Sequence, residues 1–256
     1  MMARLRLGPA PGTVPALFLH IQKTAGTSIV HLARQYYGES LSSHGEFWGR
    51  THEQLRDIRF ISGHIGHHFA APLMKGRYTF TFFREPAERI LSFYYFCQDR
   101  DPGEYEIYRM AREMTLPEFL HAGLTDPMVR MHIWNNQTWQ LAHGYDYFDT
   151  RAVDDYSEAD LLRLGKTHLA EFDHVGFTET LESDTRKILK ALGIPKPKAL
   201  PHMNASTHRK HAAEHSPEVL SLLSQLTALD RELYRFARNE LPCRKISWSR
   251  MLWRWK

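Results

Sequence analysis

Phe18-Leu-His-Ile-Gln-Lys23-Thr-Ala-Gly26-Thr-Ser28-Ile-Val-His31 is the stretch from which the fold can be read. The apolar run from Ala16 to Leu19 gives way to a turn holding Lys23, Thr24, Gly26, Thr27 and Ser28, after which apolar residues recur at helical spacing. That order is strand, loop, helix. Such a turn aims backbone N–H groups and the positive end of a helix dipole at one point, and the lysine adds a full charge. The natural occupant of that point is a phosphate or sulfate group. A Walker A loop would place a second glycine four residues ahead of a Gly-Lys pair, but here Lys23 precedes the single Gly26. A Ser/Thr-rich helix cap with a solvated lysine competes with the anion-binding reading until the rest of the chain is considered.

Outward from this stretch, Thr51-His-Glu-Gln54 has the pattern of a capping box, so a short helix from Thr51 to Ile58 should lead into a strand from Arg59 to Ser62. Tyr78-Thr-Phe-Thr-Phe-Phe83 is β-prone at nearly every position and stops at Arg84-Glu-Pro86, where Pro86 can open a helix. Residues 99–114 are charged and tyrosine-rich without a firm period and read as an insertion or lid. Helices are expected from Thr115, from Pro127 to Leu141, from Ser157 to Leu164 and from Leu181 to Leu192, with a strand from His174 to Phe177. From Ser216, leucines at helical spacing predict one long core helix. Strands alternating with helices give an α/β class: a P-loop-like three-layer fold with a central, mainly parallel sheet flanked by helices.

The 256 residues, 43% hydrophobic, suffice for one sizeable domain over 15–243, after a flexible leader, 1–14, and before a basic, tryptophan-rich tail, 244–256. That tail could rest on a membrane surface or an anionic polymer, or simply dock on the domain. Net charge is +4, the pI is near 9.0, and the 16 histidines stand outside that count, which suits anionic ligands without requiring nucleic acid. Cys97 and Cys243 are too few for a disulfide framework or a cysteine zinc site and fit a reducing, cytoplasmic setting. Gly8, Pro9, Pro11, Gly12 and Pro15 interrupt any signal-peptide core, and no apolar run reaches the length of a membrane span.

The order Lys23-Thr-Ala-Gly-Thr-Ser28 resembles the 5′-phosphosulfate loop of sulfotransferases that use 3′-phosphoadenylyl sulfate (PAPS), specifically the carbohydrate type that includes heparan sulfate 2-O- and 6-O-sulfotransferases. Arg84-Glu-Pro-Ala-Glu-Arg89-Ile-Leu-Ser92 is similar to the segment with which that family holds the cofactor's 3′-phosphate, a role that passes by position to Arg84 and Ser92. Arg89 fits the same pattern and reads equally well as a structural ion-pair residue. Val175-Gly-Phe-Thr-Glu-Thr-Leu-Glu182 with Asn204-Ala-Ser-Thr-His-Arg-Lys210 resembles the end of the same family, where a basic loop closes over the nucleotide; Thr207, Arg209 and Lys210 are its candidates.

The resemblance implies sulfuryl transfer from PAPS to a hydroxyl, with 3′,5′-bisphosphoadenosine (PAP) as product and no metal. Lys23 and the amides of Thr24, Ala25, Gly26, Thr27 and Ser28 would neutralise charge on the leaving phosphate, as in phosphoryl transfer. His64, in Ile61-Ser-Gly-His-Ile-Gly-His-His68, stands where family members place their histidine base, and an imidazole's ordinary pKa suits the task. Glu53 is a second choice. A zinc site from His64, His67 and His68 matches no common spacing; His67, His68, His202, His208 and His211 read as surface or hydrogen-bonded core residues. Asn135, Gln137 and Trp139, an amide-rich run between tryptophans, suit a sugar acceptor, although helix capping and core packing explain them equally well. Two rivals remain: a kinase with a degenerate phosphate loop, which needs an aspartate at a strand end, and a non-enzymatic module that binds polyanions.

Overall fold

In the computed structural model, residues 10–195, 197 and 211–241 are described. Five strands, β1 (Ala16–Leu19), β2 (Leu41–Ser43), β3 (Phe60–Gly63), β4 (Tyr78–Phe83) and β5 (His174–Phe177), form one sheet in the order β2-β3-β1-β4-β5. Every pairing is parallel; Phe18 faces Ser62 on one side and Phe80 on the other. Because a parallel sheet is covered on both faces, its strands should be apolar on both, and they are. Ala16, Phe18, Phe80 and Phe82 pack with Ile29, Val30 and Leu32 of α1 (Gly26–Tyr37) and Ile188 and Leu189 of α10 (Leu181–Ala191). Leu17, Leu19, Ile61 and Phe83 pack on the opposite face. There they meet α3 (His67–Met74), α8 (Asn136–Ala142), α9 (Glu158–Leu169) and α12 (Ala228–Asn239).

A third core is wholly helical. It gathers α4 (Pro86–Gln98), α5 (Glu106–Glu113), α6 (Leu116–Thr125), α7 (Pro127–Ile133) and α11 (Pro217–Leu226) around Phe93, Tyr94, Phe119, Leu120, Ile133 and Leu223. The short α2 (His52–Leu55) precedes β3, and its expected capping box is present, Thr51 and Gln54 exchanging bonds.

Three expectations need correction, and two elements were not anticipated. Residues 99–114 do carry a helical period: they contain α5, which buries Ile107, Met110 and Ala111 against α4, a pattern that the intervening charges conceal. The helix expected over Pro127–Leu141 breaks at Asn135, whose left-handed backbone (φ 43°) frees its side chain to cap α12. The long C-terminal helix divides at Thr227, whose hydroxyl turns back onto the carbonyl of Leu223. Finally, β2 and α3 were not legible: β2 is three residues long, and α3 carries His67, His68 and Pro72, which mask its period.

Candidate functional site

In an all-parallel sheet the carboxyl ends of the strands share one edge. From β1 the chain turns through α1 toward β2 on one side, whereas from β4 it proceeds toward β5 on the other. Open α/β sheets bind their ligands where two such connections diverge, and here that point lies between the ends of β1 and β4. The loop from His20 to Ala25 follows β1, and Arg84 follows β4.

The loop is held in an uncommon conformation. Lys23 (φ 69°) and Ala25 (φ 66°) both adopt left-handed backbone geometry, which side-chain-bearing residues enter only when their surroundings enforce it. The Thr24 hydroxyl donates inward to the carbonyl of Ile21 at 2.8 Å, pinning the turn. Ala25 leads into α1 without a side-chain cap, and the first turn of that helix contains no acidic residue. Most helices occupy their N-terminal amides with a capping oxygen or an acid; α1 has neither. Gly26 is required by packing, since a Cβ there would lie 2.2 Å from Nε2 of His20.

Charge is added from both sides. The Lys23 ammonium lies 3.6 Å over the ring of Phe96 on α4. Arg84 donates from Nη1 to the Lys23 carbonyl at 3.2 Å, so strand end and loop meet through this contact. Burial pulls Arg84 below its ordinary value, with Glu179 and Glu85 opposing that shift. Ser92 lies half-buried further along α4. Thr207, Arg209 and Lys210 lie outside the described residues. The chain re-enters at His211, and the next amide, Ala212, donates to Glu88 one turn before Ser92.

His64 follows directly on β3. Its Nδ1 lies 2.8 Å from the carbonyl of His20, an atom that can only accept, so Nδ1 carries the proton and Nε2 holds the basic lone pair. The His64 and His20 rings are 4.5 Å apart, and Gln140 donates to the carbonyls of both His20 and Ile65, clamping the two loops together. His132 is also close: burial, together with the charges of Arg89 and His64, pushes it down to about 4. Glu53 lies exposed on α2. The trio His64, His67 and His68 does not converge, because His67 pairs with Glu171 and His68 with Asp146.

The amide-rich run is turned inward. Asn135, Gln137 and Trp139 are all buried. Asn135 caps α12, and Gln137 brackets the backbone of Arg84, donating to its carbonyl and accepting from its amide at 3.1 Å each. Gln137 thus positions Arg84. Beneath it, Asp230 accepts from Thr138 (amide and hydroxyl, 2.7 Å each). Burial raises the Asp230 pKa, opposed by Arg89. Arg89 is fully buried and donates to the carbonyl of His132, in keeping with a structural role.

Sequence reasoning missed His20, Phe96 and Gln140. Gly26 beside a histidine-bearing strand end is the one signal that pointed toward His20; the others act across more than 70 residues of chain. No aspartate directly follows β3, β4 or β5, whose ends lead into His64, Arg84 and Thr178.

The model of the sulfotransferase family matches residues 13–237, most of the chain, and the chain therefore belongs to that family. No curated protein matches it.

Proposed function

We propose that this member of the sulfotransferase family transfers the sulfuryl group of PAPS to a hydroxyl acceptor of carbohydrate type. The observation that carries the reading is the uncapped, acid-free N-terminus of α1 behind left-handed Lys23 and Ala25, with Arg84 bonded to the same loop. Two anionic groups, one at each end of the donor nucleotide, suit two cationic positions at one sheet edge. The loop amides and Lys23 would hold the 5′ side, and Arg84 with Ser92 the 3′-phosphate. Thr207, Arg209 and Lys210 complete the proposal as the basic residues that precede Ala212, whose amide donates to Glu88 of α4.

PAPS supplies an activated sulfuryl group. As the acceptor oxygen bonds to sulfur, Nε2 of His64 takes its proton; as the sulfur–phosphate oxygen bond breaks, Lys23 and the amides neutralise the charge left on the phosphate. The His20 carbonyl holds the imidazole in the tautomer this requires. The absence of an aspartate after β3, β4 or β5 counts against the kinase reading. The reading is tested by incubating the full chain with sulfur-labelled PAPS and a panel of desulfated polysaccharides, simple sugars and phenols. Label should pass to a saccharide hydroxyl, and Lys23→Ala should abolish transfer. Label passing only to phenols would overturn the carbohydrate acceptor, and transfer to none of the panel would overturn both.

A further inference from the structure

A second chemically competent cluster lies where α3 meets α9. His67 opens α3, His168 sits in the last turn of α9, and Glu171 follows three residues later. One ligand atom from each lies within 4.8 Å of the other two. Nε2 of His67 is 3.0 Å from the Glu171 carboxylate; the two imidazoles stack with centroids 3.7 Å apart, so the His67 ring must turn out of the stack to bring both nitrogen lone pairs onto one ion. Nδ1 of His168 is 2.9 Å from the carbonyl of Leu141, which fixes its proton there and directs the Nε2 lone pair elsewhere. A backbone carbonyl orienting the far nitrogen is the arrangement that metal-bound histidines use.

From this geometry we propose that His67, His168 and Glu171 bind a divalent transition metal of the zinc type. Two imidazoles and a carboxylate are a borderline-soft donor set that suits zinc and excludes calcium and magnesium. In a tetrahedral site with bonds of about 2.0–2.1 Å, adjacent ligand atoms lie roughly 3.3 Å apart. The His67–Glu171 separation is already close to that. The metal replaces the proton now shared between Nε2 of His67 and Glu171; that proton passes to Nδ1 of His67. Glu171 is about half exposed, which gives entry and leaves a fourth position for water. Among the described residues its carboxylate pairs with His67 alone.

The neighbouring trio of His68, His143 and Asp149 is the weaker choice. Arg151 forks onto the Asp149 carboxylate, and Asp146 holds Nδ1 of His68 at 2.8 Å, so a cation there must displace a guanidinium. The proposed ion would pin α3, which begins three residues past His64, to α9, and so steady the loop that carries the base. The site revises the expectation that the chain takes no metal, and it does not depend on the identity of the sulfuryl donor.

The test uses the full chain stripped with chelator, then given Zn²⁺ alone, with metal content measured after gel filtration and the unfolding midpoint before and after. One zinc per chain should be retained, with the midpoint raised by about 5–10 °C at a hundredfold excess over the dissociation constant. His168→Gln and Glu171→Gln should each lose both effects while melting near the parent without metal. His68→Gln combined with Asp149→Asn should keep both, and Mg²⁺ should shift nothing. Unchanged zinc retention in His168→Gln and Glu171→Gln, loss only in the His68/Asp149 variant, or no retention by the parent would each overturn the proposal.

Discussion

Adding a single methyl group at Gly26 should disturb both the loop after β1 and His64, the proposed base. An alanine Cβ there would stand 2.2, 2.3 and 2.5 Å from three atoms of the His20 ring, against 3.4 Å for an ordinary contact, so the ring must retreat by about 1.2 Å. It has little room to do so. Phe18 stacks beside it at 5.0 Å, and the His64 ring lies 4.5 Å away. Overpacking of this kind costs about 1–3 kcal/mol, and alanine's better helix propensity returns no more than roughly 1 kcal/mol at a first-turn position. The expected net loss is therefore about 1–2 kcal/mol, or ~2–4 °C for each kcal/mol in a chain of this size. Urea unfolding measures it. Because the His20 carbonyl positions His64, turnover should fall together with stability. His20→Ala in the Gly26→Ala background should recover most of the stability, giving a favourable coupling energy in the double-mutant cycle. Parental stability in Gly26→Ala, or simple additivity of the two changes, would refute the reasoning.

Three further expectations concern the base and the charges beneath the site. His64→Gln should lower kcat by about 10²–10⁴-fold and abolish the acid limb of the pH–rate profile, with KM for PAPS little changed; an intact acid limb would remove His64 from the mechanism. Asp230→Ala leaves Arg89 buried without its counter-charge and should cost about 3–5 kcal/mol in urea unfolding, whereas Asp230→Asn, which keeps an acceptor for Thr138 but not the charge, should cost less. His132, pushed down to about 4, binds its proton more readily in the unfolded chain, so its neutral form is fully stabilising above the ordinary histidine value and that stability is lost as pH falls. Between about pH 6.5 and pH 4 the loss should reach at most ~3 kcal/mol, and His132→Asn should flatten the dependence.

Four of the five strands and the turn after β1 were legible because each rests on local chemistry. A run such as Tyr78–Phe83 has no other comfortable conformation, and Pro86 can only begin a helix after Arg84. Helix breaks were not legible, because Asn135 and Thr227 end helices through bonds to distant or backwards-lying groups, and apolar spacing continues across both. The same limit applied to the site. Lys23, Arg84 and the loop between them follow from strand ends, whereas Gln137 sits in a run that reads as a sugar contact and proves to bracket Arg84 from 53 residues away. Burial, which separates a positioning amide from a ligand-binding one, is a property of the assembled fold.

The central claim is that the site between the ends of β1 and β4 is built for a nucleotide with anions at both its 3′ and 5′ positions. The most direct measurement is the unfolding midpoint of the full chain with PAP, AMP, ADP and ATP added in turn, without divalent metal. PAP at about a hundred times its dissociation constant should add roughly 2.7 kcal/mol of stability, an effect AMP should not match and Arg84→Ala should lose. Equal stabilisation by AMP and PAP, stabilisation only by ATP with magnesium, or no response to any of the four would contradict it.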